Sequence, residues 1–196
     1  GEQAAERYLQ KHFADKKKAS RRLELGNDGK APHVVRCTAN LAKLIPFELQ
    51  RIDDADVPGI QQWHAKPFKF GRRTGLMFTN SSTLYTVLKL GVGKKSYAEI
   101  DGVFLGALQS TLEDAFPDQR PAIEHIVGNQ GVVFAKSTSR RVLGSMNDLV
   151  RLSLGILSHE RWPDQISEEQ LANKINQAPM SMLEYASPLS SMKSAM

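Results

Sequence analysis

Between residues 63 and 92 apolar and polar positions alternate with a period of two, the spacing of strands with one buried face. In WHAKPFKF (63–70), Trp63, Ala65, Pro67 and Lys69 fall on one side, and His64, Lys66, Phe68 and Phe70 on the other. Pro67 lacks an N–H and suits an edge strand or a bulge. GRRTG (71–75) reads as a hairpin turn bracketed by glycines, and GLMFTN (75–80) as the returning strand. SSTLYTVLKLGV (81–92) reads as a third strand, with Leu84, Thr86, Leu88 and Leu90 on one side and Tyr85 and Val87 on the other. Short links between adjacent strands predict an antiparallel meander.

The period then changes to that of a helix. In SYAEIDGVFLGALQSTLEDAF (96–116), Ile100, Val103, Phe104, Ala107, Leu108, Leu112, Ala115 and Phe116 form one apolar stripe, and Ser96 with Glu99 has capping-box spacing. PAIEHIVGNQG (121–131) predicts a shorter helix with Pro121 in its first turn, and VVFAKS (132–137) a strand. SMNDLVRLSLGILSHERW (145–162) is apolar almost all round, which predicts a central buried helix. Ser145 and Asp148 look like its cap, with Gly144 as the tight turn before it. Ser167 and Gln170 open a last helix that Pro179 stops, and the methionine-rich tail beyond is expected to wrap the surface. Earlier in the chain, VVRCT (34–38) reads as a strand and ANLAKLI (39–45) as a short helix capped by Thr38.

The fold class expected is α+β: an antiparallel sheet of about four or five strands with helices packed mainly on one face. A basic helical arm occupies residues 1–30, an α+β core 31–160, and a carboxyl-terminal helix and tail 161–196, with GNDGKAP (26–32) as the linker after the arm.

Composition narrows the function classes. Of 196 residues, 41% are hydrophobic, enough for a core, yet no apolar run approaches a membrane span. The amino terminus shows no apolar signal segment, and the single cysteine fits a reducing, cytoplasmic setting. One cysteine, Cys37, excludes an internal disulfide and reads as a small core hydrophobe. The net charge of +5 permits a polyanionic partner without requiring one.

The chemistry-bearing stretch is KSTSRRVLGSMND. Lys136, Arg140 and Arg141 precede what reads as a helix start at Ser145, whose free N–H groups favour an anion, although Asp148 would compete with it. A second arginine pair, Arg72 and Arg73, sits at the hairpin tip. Were the two pairs to converge, Trp63, Tyr85 or Phe70 nearby would offer a face for stacking bases, with His64 and Asn147 as further polar contacts. His64 has no partner carboxylate identifiable by spacing, and the histidines form no metal-binding pair, so neither metal nor cofactor is expected. GVGKKS (91–96) lacks phosphate-loop spacing, and Asp53, Asp54 and Asp56 lack the glycine and glutamate of a calcium loop.

WHAKPFKFGRRTGLMFTNSSTLYTV together with KSTSRRVLGSMNDL resembles a bacterial family known as a domain of unknown function (6933-like). The correspondence runs through Thr38 to Leu44, Trp63 to Ala65, Arg72 and Arg73, Phe78 to Tyr85, and Ser139 to Asp148, covering roughly residues 33–155. Lys66 departs from the pattern, standing where asparagine is expected. The resemblance implies no activity. The leading expectation is a nucleic-acid or phosphate-binding module with a regulatory role, RNA or DNA as its partner and no membrane. Two alternatives stand beside it. One is a protein-interaction module, antitoxin-like or an assembly partner, using the arm or tail. The other is a nuclease-type enzyme with His64, Arg140 and Asn147 in one cleft.

Overall fold

The computed structural model describes residues 32–52, 57–128, 131–137 and 139–196. The arm expected over 1–30 and the run Asp53, Asp54 and Asp56 lie outside them. Among the described residues five strands form one sheet: β1 (His33–Cys37), β2 (Gln62–Phe70), β3 (Arg73–Asn80), β4 (Thr86–Lys89) and β5 (Val132–Lys136), in the order β4-β3-β2-β1-β5.

β2, β3 and β4 form the antiparallel meander that the alternation predicts. β1 runs parallel to both its neighbours, so the sheet is mixed and not antiparallel throughout. The cause is the length of two connections. The segment after β1, with helix α1 (Ala39–Ala42), returns the chain to the starting end of the sheet before β2 begins. Between β4 and β5 lie α2 (Lys94–Ala98), α3 (Ile100–Ala115) and α4 (Arg120–Val127), a crossover long enough for parallel re-entry. Pro67 fits this order. β1 pairs with β2 only as far as Ala65, so the proline stands where that side of β2 has become an edge.

Helices cover both faces of the sheet, not chiefly one. On the first face Val35, Trp63, Ala65, Phe78 and Val87 pack with Ile100, Phe104, Leu108 and Leu112 of α3 and with Ile123 and Ile126 of α4. On the second, Phe68, Met77, Leu88 and Leu90 meet Val142, Met146 and Leu149 of α5 (Arg140–His159) and Leu171 and Ile175 of α6 (Glu168–Asn176). The side assignments read from β2 and β4 are those observed. The tail does more than wrap the surface: α7 (Pro188–Ala195) inserts Met192 fully into the first core.

Two helix starts differ from expectation. α5 begins at Arg140, with Ser139 as N-cap accepting from the Val142 N–H; Ser145 lies inside the helix and is no cap. Continuing the helix back to Arg140 buries Val142 on the sheet, which a turn at Gly144 would forgo. The same helix is amphipathic and not buried all round, since Leu152 stays 38% exposed. Nor does Ser96 cap a helix with Glu99. Its hydroxyl accepts from the Gly93 N–H one turn earlier, and Glu99 interrupts the path between α2 and α3.

His33 ties β1 to α4. Its Nε2 donates to the Ile126 carbonyl at 2.8 Å, and the ring is fully buried. Burial lowers its pKa despite that bond. A folded pKa below the unfolded value means the unfolded chain takes up the proton first. Stability from this residue is therefore complete above the ordinary histidine pKa and declines as pH falls below it. Below about pH 6.5 the wild-type unfolding free energy should fall by up to ~1.4 kcal/mol per pH unit from this residue. His33→Phe should remove that part of the slope in urea titrations at stepped pH, and equal slopes in the two proteins would refute it.

A cationic seam between β2 and α5

Alternation in β1 puts Val34 and Arg36 on the α5 face, and the pairing register then aligns a row across all five strands: Ala135, Arg36, His64, Thr79 and Thr86. Every member is buried, and the row changes character along its length. At β3 and β4 it is hydroxylic, with Thr79 and Thr86 joined at 2.9 Å. At β1 and β2 it is cationic or ionisable. Arg36 donates to the Ile52 carbonyl at 3.1 Å, and His64 Nδ1 meets Ser137 Oγ at 3.0 Å.

One step along β2 on the same face, Lys66 Nζ donates to Asn147 Oδ1 of α5. Lys66 is half-buried, and burial lowers its pKa. Arg140 lies two helical turns before Asn147 and shares its exposed stripe, with Gly144 between them and open space over that glycine. Arg36, His64, Ser137, Lys66, Asn147 and Arg140 thus run from the sheet interior to the surface beside the amino-terminal half of α5. Ser137 follows the carboxyl end of β5, and β1 ends beside it, the end of parallel strands where open α/β sheets bind ligands. Lys66 and Arg140 form no ion pair among the described residues. Asp148, a competitor for an anion if it stood at a helix start, lies in the third turn and pairs with Arg151 at 3.2 Å.

The other residues singled out from the sequence lie elsewhere. Trp63 is fully buried on the opposite face, its ring 5.2 Å from that of Phe104, and offers no surface for a base. Lys136 is in register with Cys37 and shares the face of Phe134, so it projects away from Lys66. Arg72 and Arg73 occupy the hairpin tip, where the Arg73 guanidinium lies 5.1 Å from the Trp162 ring centre. Trp162 follows the carboxyl end of α5, whereas Arg140 and Arg141 begin it; a helix of that length spans ~30 Å, so the two pairs do not converge. Arg141 turns to the Met182 carbonyl, and the Ser145 hydroxyl to the Met182 sulfur at 3.6 Å. Cys37 is buried, which pushes its thiol up to about 12 and makes it inert.

Among the described residues no group of three or more His, Cys, Asp or Glu side chains is placed to hold a metal, and no helix is long and apolar enough to cross a membrane. Comparison with curated proteins and with solved structures gave no match. The resemblance carried by the β2–β3 hairpin and the α5 start extends further along the chain than those motifs reach, through α6 and into α7. A family model described as "Domain of unknown function (DUF6933)" matches residues 34–190, and the chain belongs to that family.

Proposed function

We propose that the protein is a phosphate-binding module whose ligand is the backbone of a nucleic acid, held along the seam by Lys66, Asn147 and Arg140. The observation that carries this reading is Lys66. Its half-buried ammonium is held by a neutral amide, and no carboxylate pairs with it among the described residues. An unneutralised cation at the mouth of a polar row costs desolvation, and an anionic ligand offsets that cost. Binding through phosphates is also what the buried position of Trp63 favours, since that ring is removed as a platform for bases.

Fluorescence anisotropy with labelled RNA and DNA over a salt series tests the reading. Affinity should fall steeply with salt, and Lys66→Ala or Arg140→Ala should each lower the slope of log K against log salt by about one. Because the pKa of Lys66 is lowered, wild-type binding should weaken with rising pH earlier than an ordinary lysine would cause, and Lys66→Arg should delay that loss. Absence of binding at low salt would refute the module. Cleavage of the labelled strand would turn the assignment to a nuclease.

A further inference from the structure

The loop between α6 and α7 turns on two left-handed residues. Glu184 and Tyr185 have φ of +52° and +67°, where a Cβ crowds the following carbonyl oxygen. Main-chain bonds close the loop at its neck: the Met180 N–H donates to the Ala186 carbonyl at 3.1 Å, and the Tyr185 N–H to the Met180 carbonyl at 3.0 Å. Leu84, the other left-handed residue with a side chain among the described ones, is fully buried, so packing offsets its strain. No packing does so for Tyr185, which is 75% exposed, more than any other large apolar side chain described. A strained backbone that presents an aromatic ring to solvent marks a contact made outside the fold.

The position of the loop says with what. Met182, three residues before Tyr185, is clamped to α5: its carbonyl accepts from the Arg141 guanidinium at 3.3 Å, and its sulfur from the Ser145 hydroxyl. Both partners lie in the first two turns of α5, the half that carries Arg140 and Asn147. Three residues reach at most ~11 Å, so Tyr185 lies beside the amino-terminal half of that helix. We propose that Tyr185 is a stacking platform for one unpaired base of the nucleic acid whose phosphates lie on the seam, so that the ligand is single-stranded where it passes this loop. This rests on the nucleic-acid reading. Arg140 and Arg141 are exposed beside the loop, against the single carboxylate of Glu184, and they favour a partner whose flat rings come joined to phosphates. A lone exposed ring offers a face and no pocket, which suits a planar base and not an apolar side chain that must be enclosed.

Anisotropy on the full chain at low salt compares three labelled ligands of about 12 nucleotides: a single strand, the same sugar–phosphate strand without bases, and a duplex. Wild type should bind the single strand about tenfold or more tightly than the abasic strand. Tyr185→Ala should remove most of that difference. It should leave the abasic and duplex affinities and the salt slope unchanged, because no charge is lost. Tyr185→Phe should keep the wild-type preference, since stacking needs the ring and not the hydroxyl. The alanine variant keeps a Cβ in the same backbone conformation and loses only an exposed ring, so its urea midpoint should not move. Equal affinity of wild type and Tyr185→Ala for the single strand would overturn this proposal and leave the phosphate reading standing. Failure of wild type to bind any of the three ligands would overturn both.

Discussion

Replacing Asn176 by leucine should destabilise the fold by about 3 kcal/mol, because two buried main-chain groups lose their partners at once. Asn176 is fully buried at the end of α6. Its Oδ1 accepts from the Thr86 N–H and its Nδ2 donates to the Thr86 carbonyl, both at 2.8 Å. The side-chain amide thereby supplies the two bonds a sixth strand would make to the open edge of β4. Glu168, at the other end of the same helix, repeats the device on the Leu90 N–H at 2.7 Å. An unsatisfied buried N–H or C=O costs ~1–3 kcal/mol, whereas leucine brings nothing that can bond either group. Asn176→Asp separates the two bonds, since it keeps the acceptor, loses the donor and buries a charge. It should be at least as damaging at neutral pH and should recover partly in acid, as the carboxyl takes up a proton. Urea unfolding measures both, and a loss below ~1 kcal/mol for the leucine variant would show that β4 does not depend on this closure.

Asn176 also shows what was legible and missed. The last helix reads from Ser167 and Gln170, and its apolar stripe is Leu171, Ala172 and Ile175. Asn176 lies one turn beyond Ala172 on that stripe, where a polar residue must have a buried partner. The signal was present, but its meaning depends on β4, which is some 90 residues away in the chain. Local patterns were sufficient where both partners are close. The β2–β3 hairpin follows from alternation and from Gly71, whose φ of +55° is one that glycine accepts without strain. The order of β1 and β5 was not legible, because parallel pairing is decided by long crossovers; the runs HVVRC and VVFAK mark strands covered on both faces but do not fix which neighbours they take.

The seam was legible in part for a similar reason. Arg140 and Asn147 stood out as polar residues in the chemistry-bearing stretch, and His64 as a polar position beside Trp63. Arg36 and Ser137 did not, although an arginine alternating with valine in HVVRC announces a charge on a buried face. Lys66 was visible as a departure from the family pattern, without a role. What misled was a capping motif in the wrong place. S-x-x-D at Ser145 satisfies the spacing rule, but a cap must also lie outside the buried stripe, and Ser145 lies on it beside Met146 and Leu149. Moving the start to Ser139 takes Asp148 away from the helix end and leaves that end cationic.

Trp63→Ala should cost about 3–5 kcal/mol and should leave the salt dependence of any nucleic-acid binding unchanged wherever the protein remains folded. The tryptophan is the largest fully buried side chain, in register with Val35 on β1 and Asn80 on β3, and its ring meets Phe104 edge-on. Alanine would open a cavity between the sheet and α3, where strands and helix both resist collapse. Trp63→Phe is the informative partner. It keeps ring contact with Phe104 and removes an indole N–H that is buried without an acceptor, so its cost should be only about 1–2 kcal/mol. The pair also separates a core role from a base-stacking role. A stacking tryptophan at the surface would cost little stability on truncation and much affinity; one in the core does the reverse. Unfolding and anisotropy on the same two variants therefore decide it. If Trp63→Ala kept its stability and lost binding, the packing of this face of the sheet would have to be revised, and the exclusion of that ring from recognition with it.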